Sequence, residues 1–209
     1  YFKIAASHLT RNKVFSVINI AGLSLGLTCC MLIVLYMKDE VSFDRFQENK
    51  DQLYRVNVTM TTPEGTHSIS STNYIHGPSF KQEIPEIKEV VRAQTSSFVT
   101  KKGNDLLNED VLFADDNFFT VFSMPLLYGN AETVLSDIHS IVLSEELAEK
   151  YFNTKQAVGR TMELKIDGKF ESFLVSGVAK KCPQNSSVQF KAVLPFKFQE
   201  AKGWTNSEW

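Results

Sequence analysis

Hydrophobic and polar residues follow two regimes along this chain, and the change between them falls at Met37. From Val14 to Met37 there are 24 residues without Lys, Arg, Asp, Glu or His, Asn19 being the most polar. As a helix this run is about 36 Å long, against roughly 30 Å of hydrocarbon in a bilayer, so it is long enough to span with some tilt. A buried helix in a soluble core rarely stays apolar on every face over such a length. Beyond Met37, seven of the thirteen residues 38–50 are charged. From there the pattern is that of folded elements with one buried face each.

Phe43, Phe46, Leu53 and Tyr54 lie at roughly helical spacing. Tyr54, Val56, Val58 and Met60 then alternate with the period of a strand. "TTPEGTHS" reads as a turn or loop. Phe80, Ile84, Ile87 and Val91 predict an amphipathic helix that starts after Gly77-Pro78 and is disturbed by Pro85. A hairpin is expected around Lys102-Gly103-Asn104, a strand over "DVLFAD", and a short aromatic helix over "DNFFTVF" capped by Asp115 or Asp116. "SIVLSEELAEKYF" couples a strand to a helix with Ser144 at the N-cap, Glu145 and Glu146 in the first turn, and Leu147, Ala148, Tyr151 and Phe152 on the buried face. Met162, Leu164 and Ile166 alternate with polar residues up to an Asp167-Gly168 turn, the clearest hairpin. "CPQNSSVQFKAVLPFKF" reads as a loop followed by a last strand. The sum is an α+β chain: a transmembrane helix over 14–37, preceded by a cytoplasmic amphipathic segment 1–13 and followed by a mixed α/β extracytoplasmic domain, 38–209.

Charge orients the span. Residues 1–13 carry Lys3, Arg11 and Lys13 and no acid, which places the N-terminus in the cytoplasm and everything after Met37 outside. Three of the 22 basic residues and none of the 24 acidic ones precede Lys38, leaving the outer part at net −5. Such a surface is a poor one for nucleic acid. A cleaved secretory signal would have a shorter apolar core and a small-x-small site before the charges, and Leu35-Tyr36-Met37-Lys38 supplies none. A lipoprotein cysteine at Cys29 or Cys30 would be followed by polar chain rather than seven more uncharged residues. The pair reads as two small residues inside the span. Gly22 and Gly26 form a GxxxG pattern that lets a second helix approach closely. Cys182 is the one thiol outside, so it has no internal disulfide partner there.

No catalytic constellation stands out. His8, His67, His76 and His139 are far apart, and neither HExxH, GxSxG, GxGxxG nor a P-loop occurs. The pairs Asp115-Asp116 and Glu145-Glu146 read as helix N-terminal residues, and Phe98, Phe113, Phe118, Phe119 and Phe122 as core. The reading is therefore catalytic residues none, cofactors none, metal none.

The first 56 residues resemble the N-terminus of FtsX/MacB-type ABC transporter permeases, in the long form common in Bacteroidetes. The match is carried by Arg11-Asn12-Lys13, Asn19-Ile20-Ala21-Gly22-Leu23, the juxtamembrane Asp39-Glu40 and Phe43-Asp44-Arg45-Phe46, Glu48-Asn49, and Leu53-Tyr54-Arg55-Val56. Downstream, "IVLSEELAEKYF", Val158-Gly159 and "VSGVAKKCPQNSS" are similar to the MacB-like periplasmic core domain. Gln47 and Ser187 stand where relatives often have His. The resemblance implies a permease piece that continues past Trp209 with three further spans, in a bacterial inner membrane. It also implies three partners: a separate cytoplasmic ABC ATPase subunit, a second permease unit, and a periplasmic adaptor or effector. The implied role is mechanotransmission, in which ATP hydrolysis by that ATPase moves the periplasmic domain, with Asp39, Glu40, Phe43, Asp44, Arg45 and Phe46 as coupling residues. The rival readings are a single-span sensor, which predicts a deep ligand pocket, and a membrane-anchored enzyme, which predicts polar residues clustered in a cleft.

Overall fold

A computed structural model describes residue 11 and residues 13–205. Of the basic segment 1–13 only Arg11 and Lys13 are included, so the expected amphipathic segment lies outside the described residues. The chain divides into two units at Asp44/Arg45.

Among the described residues the first unit holds one helix, α1, Lys13–Val41, with no buried residue and long and apolar enough to cross a membrane. It contains the whole uncharged run. Inside it the Thr28 hydroxyl donates to the Ser24 carbonyl at 2.7 Å, satisfying a polar group that lipid cannot. At its end Ser42 turns back, its backbone N–H and its hydroxyl both donating to the Asp39 carbonyl at 3.0 and 2.6 Å. Asp44 then takes a left-handed φ of 54°. The helical spacing of Phe43, Phe46, Leu53 and Tyr54 is thus not realised: residues 42–46 are turns, followed by a single 3-10 turn at Lys50–Gln52.

The first strands of the second unit form a two-stranded ribbon, β1 (Val58–Thr62) and β2 (Gly65–Ile69), paired only with each other. The "TTPEGTHS" loop is therefore a hairpin, and the alternation expected from Tyr54 is in ladder only from Val58. Helix α2 runs His76–Glu83 and stops at Ile84, whose extended backbone is what a following proline imposes. Ile87 and Val91 consequently lie outside it, and Gly77-Pro78 sits within its first turn, where proline's missing N–H leaves no bond unmade.

The remaining strands build one mixed sheet. They are β3 (Ala93–Lys102), β4 (Asp105–Ala114), β5 (Leu126–Tyr128), β6 (Ser140–Ser144), β7 (Thr161–Ile166), β8 (Lys169–Ala179) and β9 (Ala192–Pro195). Their order is β5-β8-β6-β9-β4-β3-β7, and β7 also pairs with β8, so six strands close into a ring with β5 outside it. Both expected tight hairpins are present, with Gly103 at φ 60° and Asp167-Gly168 at 47° and 85°. Two positive φ values in succession at a two-residue turn match the right-handed twist of the flanking strands.

Alternation along β4, β6 and β9 splits the core in two. Val111, Phe113, Ile141, Leu143, Ala192 and Leu194 face one cluster, which also takes Met162, Leu164 and Ile166 from β7. Leu112, Ala114, Val142 and Val193 face the other. Strands buried on both faces read as continuous apolar runs, which is why "SIVLS" and "AVLP" show no alternation. Helix α3 (Phe118–Val121) covers the second face, and α4 (Glu145–Phe152) and α5 (Phe196–Ala201) the first.

Ser144 does cap α4, its hydroxyl oxygen accepting from the Leu147 N–H at 3.2 Å. Neither Asp115 nor Asp116 caps α3: Asn117 occupies that position and Asp115 is bound to Arg92 instead. The expected last strand is present as β9 and ends at Pro195, after which the chain enters α5, burying Phe196, Phe198 and Gln199. Opposite β6, Ser176 is an extra residue in β8, and its hydroxyl donates to the Val134 carbonyl at 2.6 Å. A Cβ on the neighbouring Gly129, at φ 101°, would lie 2.8 Å from both the Ser176 carbonyl and the Val134 side chain, so only glycine fits there.

Candidate functional site

The residues expected to carry function fall in both units. Gly22 and Gly26 lie on α1 one turn apart, and an added Cβ on either would meet nothing within 4 Å. Asp39 and Glu40 occupy the last turn of α1; Phe43 is 41% exposed. In the second unit Arg45 is exposed while Phe46 is half-buried against the second-face cluster. The residues expected to couple therefore differ in kind: of them, Phe46 packs against a core cluster of the second unit.

Two residues close to it are also held in the second unit. Gln47 is 3% exposed, and the Asn49 carboxamide N–H donates to the Val121 carbonyl of α3 at 3.0 Å. In the sequence the two stand out only through the family resemblance, Asn49 as part of the match and Gln47 as a departure from it.

The strongest electrostatic features are two clusters that no sequence motif announces. Arg92 makes a multiple contact with Asp115, whose carboxylate accepts from its backbone N–H, Nε and Nη2 at 2.7 to 3.2 Å. Its Nη1 donates to Glu200 at 2.7 Å, and the guanidinium lies 4.1 Å from the centre of the Phe196 ring. Burial alone would lower the Arg92 guanidinium, but Asp115 and Glu200 outweigh it and hold it above its ordinary value. This ties the chain before β3 to the end of β4 and to α5. Two open depressions of about 240 and 420 Å³ flank it, sharing Pro78, Arg92 and Glu200 in their walls. Their charges are largely paired with one another, as in Lys81 with Glu89 at 2.9 Å and Lys197 with Asp116 at 3.0 Å.

The second cluster centres on Glu109, whose side chain is 1% exposed. It contacts Lys150 Nζ, accepts from the Tyr151 hydroxyl at 3.2 Å, and has Lys191 Nζ at 3.9 Å. Burial, with the Glu109 charge adding to it, pushes the Tyr151 hydroxyl above its usual range; that hydroxyl also contacts Thr100. The cluster links β3, β4 and α4 across the first face. Of the expected core rings, Phe113, Phe118 and Phe119 are buried, and Phe98 and Phe122 are partly buried.

His67, His76 and His139 lie on β2, α2 and the loop before β6, and His8 is outside the described residues. Among the described residues no group of three His, Cys, Asp or Glu is placed to hold a metal ion.

Cys182 is 7% exposed, and burial raises its thiol above the ordinary value. Alkylation of the Cys182 peptide by iodoacetamide at pH 8 is expected to be at least about tenfold slower in the folded chain than in urea, since only the thiolate reacts. Peptide mass spectrometry measures this directly, and equal rates would mean that the segment 180–190 opens freely.

Among solved structures, a domain described as that of a permease protein from Porphyromonas gingivalis is similar at 22% identity and a TM-score of 0.58, with 73% of this chain and 65% of that one covered. The periplasmic region of MacB from Actinobacillus actinomycetemcomitans is similar at 18% identity and a TM-score of 0.48, with 63% and 58% covered. The extracellular domain of the noncanonic ABC-type transporter YknZ from Gram-positive bacteria is similar at 18% identity and a TM-score of 0.49, with 65% and 68% covered. The chain thus spans less than two thirds of the first two. No functionally curated protein matches it. The sequence profile of the MacB-like periplasmic core domain matches residues 16–208, starting inside α1 and running through the closed sheet to the end of α5 and beyond. With nearly its whole length so matched, this chain belongs to the MacB-like periplasmic core domain family.

Proposed function

We propose that this chain is the first span and periplasmic domain of an ABC transporter permease, one that transmits work from a separate cytoplasmic ATPase to a partner or substrate outside the membrane. The observation that carries the reading is the unbroken family match from residue 16, inside an apolar helix long enough to span, to residue 208. In this reading 14–37 is the span, 1–13 is cytoplasmic, 38–209 is periplasmic, and the membrane is the bacterial inner one. Gly22 and Gly26 are the contact stripe for another helix, where small residues let backbones approach. The permease contributes no catalytic site or cofactor of its own; ATP chemistry belongs to the ATPase, and a second permease unit and a periplasmic adaptor or effector complete the assembly.

The direct test is purification of the full-length protein from its native membrane. An ABC ATPase is expected to co-elute and to hydrolyse ATP in the complex. Its absence under mild detergent, with no hydrolysis above background, would overturn the permease reading.

Coupling is tested by replacing Val41–Arg45 with Gly/Ser in that complex. The replacement stops before Phe46 because Phe46 packs against the second-face cluster and Gln47 is buried, and changing them would confound uncoupling with unfolding. ATP hydrolysis is expected to persist while the nucleotide-dependent movement of the periplasmic domain is lost. Movement of wild-type size in that variant would sink the transmission idea.

A further inference from the structure

Segment 45–49 opens the second unit, and three of its residues are fixed there. Phe46 packs against the second-face cluster, Gln47 is buried, and the Asn49 carboxamide donates to the Val121 carbonyl at 3.0 Å. Val121 closes α3, a helix of four residues without a side-chain N-cap bond. What holds so short a helix is its aromatic packing. The Phe118 ring centre lies 5.1 Å from that of Phe119, 5.3 Å from Phe122 and 5.7 Å from Phe190. Phe118 and Phe119 are buried with Leu112 and Ala114 of β4, the strand that sits between β3 and β9 in the sheet. From the other side, the Asn117 carboxamide donates to Glu89 at 2.8 Å and to the Val90 carbonyl at 3.2 Å.

We propose that Asn49 is a positioning residue: its bond to the Val121 carbonyl, beside the packed Phe46 ring, makes α3 the receiver through which a displacement at the start of the domain reaches β4. The inference rests on the permease reading and adds to it the element that receives the motion. A hydrogen-bond donor at this place fits because the last carbonyls of a helix have no partner within it. Segment and helix then move together rather than sliding past each other.

The test uses the full-length permease with its ATPase in lipid nanodiscs. Cys29 and Cys30 are replaced by Ala and a spin label is placed at Asn104, in the β3–β4 turn. The distance between the labels of the two permease units is measured with and without ATP and vanadate. Asn49→Ala removes the bond, and Asn49→Asp keeps the shape but removes the donor. In both, the nucleotide-dependent distance change is expected to be lost while ATP hydrolysis and the thermal unfolding of the domain stay close to wild type.

Losing about 1 kcal/mol of hydrogen bond should also speed exchange of the Lys50 and Gln52 amides about fivefold, because the seat opens more often. A wild-type distance change in both variants, or unaltered exchange of those amides, would overturn the role of Asn49. If the wild-type complex itself shows no nucleotide-dependent change, the permease reading falls and this inference with it.

Discussion

Replacing Phe113 by alanine is expected to lower the stability of the domain by about 4 kcal/mol, the range for deleting a buried phenyl ring from a close-packed core. Phe113 is 0% exposed on β4, paired with Gln94 of β3 on one side and Leu194 of β9 on the other. Its ring has three aromatic neighbours: Phe98 edge-on at 5.7 Å, Phe198 stacked at 6.4 Å and Trp204 edge-on at 6.3 Å. These come from β3, α5 and the segment after α5. The resulting cavity cannot be refilled by one side chain swinging in, since each neighbour is itself held by a different element. For a unit of this size the loss corresponds to a fall in Tm of roughly 8–16 °C. Thermal unfolding followed by near-ultraviolet circular dichroism reads both the midpoint and the loss of aromatic packing. A fall of under about 2 °C would show that Phe198 and Trp204 collapse into the space and that the aromatic cluster is loosely packed.

Much of this fold is legible in the sequence, and what is missed follows a rule. Local signals survive into the structure. The Asp167-Gly168 turn, the Gly103 turn, the Ser144 cap and the alternation of Met162, Leu164 and Ile166 each depend on residues within about one turn or one strand of each other, and each appears where expected. Non-local facts do not show in a single sequence. The parallel pairings of β4 with β9 and of β6 with β8 join strands far apart in the chain. The return of β7 to β3, which closes the ring, rests on one pair, Thr100 with Leu164.

The same rule sorts the candidate site. The resemblance implies coupling for Phe46, but its packing depends on the second-face cluster, whose Phe118 and Phe119 lie more than seventy residues away. Asn49 is part of the family match, but what it does there shows only once the Val121 carbonyl is seen opposite it. Asp115 departs from the helix-cap expectation for a different reason. An acid before a short helix has an obvious local use as a cap, yet Arg92, 23 positions earlier, offers both backbone and guanidinium donors. A bidentate charged pair outbids one N–H bond at a helix of four residues.

The second large effect is expected at Lys150, and its sign pattern distinguishes a pair that stabilises from one that merely coexists. Glu109 is the buried partner at 1% side-chain exposure, whereas Lys150 and Lys191 are 45% and 61% exposed. Removing the lysine and removing the carboxylate are therefore not equivalent. Lys150→Met leaves a carboxylate out of water with only the Tyr151 hydroxyl and a lysine at 3.9 Å to answer it, and should destabilise by about 3 kcal/mol. Glu109→Gln leaves two lysines that simply turn to solvent, and should lose only about 1 kcal/mol. The double variant is then expected to be more stable than Lys150→Met alone, a coupling of about 2 kcal/mol that only directly interacting groups produce. Urea unfolding of the four proteins closes this cycle. If Lys150→Met is within about 0.5 kcal/mol of wild type, Lys191 has moved in to replace it and the two lysines are interchangeable. If the double variant is worse than either single one, the network holds α4 to the sheet by the shape of its side chains, and the charge of Glu109 is incidental to that attachment.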